Sequence, residues 1–146
     1  MRPLLLLSLP LLAACQQDAG QQEAGQQAER VAERPLQVVT YAGEGRDRLC
    51  LNESAGRIGF ITYGEGDVNC SVRAALTRSG DQISIAPDGD QSCRIGATLG
   101  DGRLTLGELG QSCAYYCGPD ASFAGKSFRQ SPEAVPVTDL AGDPLC

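Results

Sequence analysis

The side chains with most chemical potential cluster in residues 112–129, SCAYYCGPDASFAGKSFR, which hold Cys113, Cys117, adjacent Tyr115 and Tyr116, and the one lysine of the chain, Lys126. Phosphate binding, nucleophilic catalysis, metal ligation and protein recognition all draw on such residues. A phosphate loop needs a glycine five positions before the Gly-Lys-Ser, so that backbone amides can wrap the anion. Here that position is Asp120, whose carboxylate repels phosphate. Nucleophilic catalysis has no histidine to use, which leaves Lys126 as base to Ser122 or Ser127. A lysine becomes a base only when burial lowers its pKa, and a Gly-Lys-Ser loop in an acidic chain argues for an exposed ammonium. No catalytic residue is therefore assigned and no enzyme activity is expected.

Metal ligation is equally poorly served. The chain lacks any Cys-x2-Cys pair, and Cys113-x3-Cys117 has no matching second half. Asp88, Asp90 and Ser92 imitate the start of a calcium loop, but Cys93 replaces its glycine and Leu99 its closing glutamate, so the segment reads as a turn. No metal or cofactor is expected. Recognition remains: cysteines at both ends of CAYYC fix its backbone, preorganised loops lose less entropy on binding, and tyrosine is enriched at binding surfaces. The candidate binding residues are Tyr115, Tyr116, Ser122 and Lys126. The competing reading has the tyrosines cap a barrel end while Lys126 only aids solubility.

The compartment is set by the leader, MRPLLLLSLPLLAAC. One arginine, an apolar run too short to span a bilayer, and small residues before a cysteine make an export signal. Leu12-Ala13-Ala14-Cys15 resembles the lipobox of bacterial lipoproteins, which implies cleavage before Cys15 and its acylation, with palmitate-type chains anchoring the protein to a membrane. Residues 1–14 are then the signal peptide. Residues 15–35, rich in Gln, Ala and Gly, have too few apolar side chains for a core and read as a tether. Gln16 after the lipidated cysteine resembles the pattern of lipoproteins passed to the outer membrane, so the expected location is the cell envelope, on the periplasmic face of that membrane.

Cysteine parity agrees. Seven cysteines leave an odd thiol in an exported protein, and committing Cys15 to lipid leaves Cys50, Cys70, Cys93, Cys113, Cys117 and Cys146 for three disulfides. Fifteen pairings satisfy that count.

Residues 36–146 form one small domain without tryptophan and with only three phenylalanines. Its pattern is period two: Cys70, Val72, Ala74 and Leu76 share one side, as do Ile83 and Ile85, Cys93 to Leu99 by twos, and Leu104 and Leu106. QVVTYA, DRLCLN and RIGFITYG add less regular strands, and Gly-Asp-rich turns separate them. The expected fold is all-β, a small antiparallel barrel or sandwich of about six to seven strands stapled by disulfides, with Cys70 and Cys93 on buried faces. A short helical turn over residues 112–118 would place Cys113 and Cys117 on one side at i, i+4.

One further likeness lies in Ser122-Phe123-Ala124-Gly125-Lys126-Ser127-Phe128. It resembles the Ser-x-x-Gly-x-Lys/Arg-Tyr loop of small periplasmic lipoproteins that inhibit C-type lysozyme, with the lysine one place early and Phe128 for the tyrosine. The resemblance implies a disulfide-bearing antiparallel barrel, with Ser122 and Lys126 engaging the catalytic carboxylates of lysozyme. With 18 acidic and 12 basic residues the chain carries a net charge of −6, which disfavours nucleic acid and favours a basic secreted protein such as lysozyme. Two functions stay open: a non-catalytic binding domain on a lipid anchor, and a structural envelope lipoprotein without a discrete ligand.

Overall fold

The computed structural model describes residues 37–146; the leader, Cys15 and the tether lie outside the described residues. Eight strands run in order: β1 Val39–Ala42, β2 Arg48–Asn52, β3 Arg57–Tyr63, β4 Asn69–Ser79, β5 Gln82–Pro87, β6 Ile95–Gly100, β7 Arg103–Leu106 and β8 Ser127–Gln130. Each pairs antiparallel with its sequence neighbour, and β8 returns to β1, closing a barrel. The fold is thus a barrel rather than a sandwich, with eight strands rather than six or seven. β8 begins within residues 112–129 and runs one residue past them, and SFRQ, with a single apolar residue, shows no alternation that marks it as a strand.

The turns fit their chemistry. β6 and β7 are joined by Asp101 and Gly102 at φ 52° and 69°, both in the left-handed region that a two-residue hairpin of matching twist requires. Along β4, Cys70, Val72, Ala74 and Leu76 are buried while the residues between them face outward. An eight-stranded barrel is just wide enough for side chains to fill it. Phe60, Phe123, Phe128, Leu49, Ile58 and Ile85 do so here, each burial contributing roughly 1.5–3 kcal/mol.

A second, smaller core lies outside the barrel wall. There Val137 and Leu145 pack on Cys50 and Ile61. The covering segment folds back on itself, with the Leu145 N–H donating to the Val137 carbonyl at 3.0 Å and Asp139 Oδ1 accepting the N–H groups of Ala141 and Asp143. Gly59 of β3 lets this strap approach, since a Cβ there would stand 2.3 Å from the Leu145 carbonyl oxygen. The Cys50–Cys146 disulfide fastens it.

Candidate functional site

The cysteine-bracketed segment forms a 3-10 helix, Gln111–Tyr116, as its sequence suggests, but the two cysteines do not act together. Cys113 bonds to Cys93, in the loop before β6, and Cys117 bonds to Cys70 at the start of β4. The helix ends at Tyr116, and Cys117 is already extended at φ −119° and ψ 140°, so the shared face expected of an α-helical turn does not arise. Both strand-side partners, Cys70 and Cys93, are fully buried. Two covalent ties to different parts of the wall hold a six-residue turn.

The tyrosines divide. Tyr116 is half-buried, and its hydroxyl donates to Asp90 Oδ2 at 3.2 Å. Burial first, and the Asp90 carboxylate second, push the Tyr116 phenol above its ordinary range. Asp90 in turn accepts the Ser92 hydroxyl and N–H at 2.7 Å and the Cys93 N–H at 3.2 Å. The Ser92 hydroxyl foremost holds the Asp90 carboxyl below the usual carboxylate range. The DGDQS segment is therefore a turn that anchors Tyr116. Tyr115 stands 91% exposed, its ring edge-to-face with Tyr116 at 5.6 Å. Both rings border an open groove of about 610 Å³ whose opposite side is formed by Asp67, Val68, Asn69 and Ser71.

Downstream, the chain turns inward. Phe123 is wholly buried and meets Phe60 edge-to-face at 5.4 Å, which closes this end of the barrel. The aromatic plug is thus Phe123, and the tyrosine pair lies outside it. Ser122 is exposed, and its Oγ accepts the Ala124 N–H at 3.0 Å, a local turn contact. Lys126 departs from the exposed position expected of it. Its Nζ donates to Asp47 Oδ2 at 3.0 Å and to the Tyr63 carbonyl at 3.3 Å, while Asp47 Oδ1 accepts the Tyr63 N–H at 2.8 Å. The Asp47 side chain is 3% exposed, so the ammonium neutralises a charge that the fold has taken out of water.

The structure thus brings Tyr115 and Tyr116 together, places Ser122 at a separate turn, and commits Lys126 to the barrel. Asp47 was not singled out by sequence reasoning: in GEGRD it looks like a turn carboxylate, and its lysine partner is 79 positions away. No family model matches the chain, and neither a curated protein nor a solved structure matches it.

Proposed function

We propose that this chain is an envelope lipoprotein, anchored through Cys15, whose barrel is a non-catalytic module that binds a basic protein through the Tyr115 face. The observation that carries the reading is Tyr115 itself: a large aromatic ring left 91% exposed on a turn tied down by two disulfides. A flexible loop could hide such a ring; this turn holds it in water, beside a groove, where its ordering cost on binding is small. Asp67 on the far wall of the groove is itself paired with Arg46 at 2.9 Å, so the choice of a basic partner rests on the net charge of −6.

The likeness to lysozyme inhibitors supports the choice of first partner more than the choice of residues. Ser122 is available, but Lys126 is engaged by Asp47, so recognition is assigned here to the tyrosine turn.

Two experiments test the proposal. Cys15→Ser should abolish fatty-acid labelling and release the protein from membranes; retention of the variant would contradict the anchor. The unlipidated domain should bind and inhibit C-type lysozyme at micromolar concentration, and Tyr115→Ala should weaken this without changing thermal unfolding. If the domain binds neither lysozyme nor any envelope protein in stoichiometric amount, it has a structural role instead.

A further inference from the structure

Phe123 and the Asp47–Lys126 pair close the end of the barrel where β2 begins and β3 finishes. At the opposite end, where β2 and β8 finish and β1 begins, Leu76, Ile83, Leu99 and Leu104 are buried, and a recess remains on the β1–β2–β8 side. A pocket of about 300 Å³ lies there, with Val39, Tyr41 and Leu51 as its floor and Glu53 and Gln130 at its rim. Barrel mouths with an apolar floor and a few convergent polar groups are common places for small ligands.

Tyr41 gives this hollow chemical direction. The residue is only 4% exposed, it lines the pocket, and its hydroxyl has no hydrogen-bond partner among the described residues. The hydroxyl oxygen opens onto the pocket rather than lying sealed in the core, so a ligand seated there can pair with it. Burial first, and the Glu53 carboxylate second, push the Tyr41 phenol above its ordinary value, so it remains a neutral O–H at physiological pH. At the rim, Arg78 Nη1 bonds Glu53 Oε1, and Arg78 Nε is tied to the Gly80 carbonyl at 2.7 Å. Glu53 Oε2 has no such partner among the described residues. Among the described residues lining the pocket none is positively charged, and the Arg78 guanidinium beside it is already engaged by Glu53 and the Gly80 carbonyl, which disfavours an anion.

We infer that this recess is a second binding site, distinct from the Tyr115 groove, for a small amine. Its apolar body rests on Val39 and Leu51, and its ammonium donates to the Tyr41 hydroxyl oxygen and to Glu53. The volume holds a ligand of about one six-membered ring with its substituent, judged against an engineered cavity of about 150 Å³ that takes benzene.

Three probes of one shape and different charge test this: cyclohexylamine, cyclohexanol and cyclohexanecarboxylate, titrated into the protein and followed by NMR at Tyr41 and Leu51. Cyclohexylamine should shift those signals at millimolar concentration and bind about tenfold more tightly than cyclohexanol, with the carboxylate weakest. Glu53→Gln should remove the preference for the amine. Tyr41→Phe, which keeps the ring, should weaken the amine several-fold while the spectrum stays that of the folded barrel. Equal binding of all three probes, preference for the carboxylate, or no shift at the mouth overturns the inference. So does an unchanged preference in Glu53→Gln.

Discussion

Two halves of one short stretch, residues 112–129, are used in opposite ways. The first half is tied to the barrel wall by two disulfides and turns Tyr115 outward. The second half enters the barrel, where Phe123 fills its end and Lys126 pairs with buried Asp47. Covalent ties suit the outward half because an exposed turn has little apolar contact to fix it. The inward half has no cross-link of its own and is held by burial and charge pairing. The residue that looked most reactive in the sequence, the lone lysine, thus serves the fold, and an aromatic ring is left for a partner.

The largest effect expected is on the inward half. Phe123→Ala removes the plug and leaves a cavity against Phe60, and should cost about 4 kcal/mol in urea unfolding. A cost under about 1 kcal/mol would mean that the loop does not close the barrel.

Next comes the outward half. Replacing both Cys93 and Cys113 by alanine frees the turn and opens a loop of sequence separation 20, with an expected cost of about 3 kcal/mol. Proteolysis should then cut at the tyrosines while β8 stays protected. Uniform cleavage would show that the two halves are not independent.

Acid provides a smaller and more selective perturbation. The Arg57 guanidinium, at 2.8 Å and 2.5 Å from the two carboxylate oxygens, holds the Asp88 carboxyl below its ordinary 3.8, and Ser92 does the same for Asp90. A carboxyl with a depressed folded pKa contributes stability that is complete above its unfolded value. That stability is lost as pH falls through the folded value. Stability should therefore decline below about pH 4, and Asp88→Asn should flatten part of that decline. Because Asp90 also anchors Tyr116, tyrosine ultraviolet signals should change before the global transition. Simultaneous loss of both signals would remove the distinction.

Much of the fold was legible. Alternation marked β4 to β7, Gly-Asp pairs marked their turns, and cysteine parity implied three bridges. Period two fails for β8, where Phe128 alone is apolar, and strand length and closure there come from pairing with β1 and β7. Parity could not choose among pairings, since the choice depends on which loops the closed barrel brings together. For the site, local chemistry marked the pinned tyrosines. The burial of Asp47 is a tertiary fact, created when a lysine distant in sequence reaches it. Tyr41 likewise reads as an ordinary strand aromatic until barrel closure sets it against a pocket beside the ends of β2 and β8.

The central claim, that Lys126 belongs to the fold and Tyr115 to the surface, is tested most directly by the unfolding free energies of Lys126→Ala and Tyr115→Ala measured side by side. Lys126→Ala should lose about 3 kcal/mol, since it strands the buried Asp47 carboxylate. Tyr115→Ala should change stability by less than about half a kcal/mol. A neutral Lys126→Ala together with a strongly destabilised Tyr115→Ala would contradict the account and reverse the roles of the two halves.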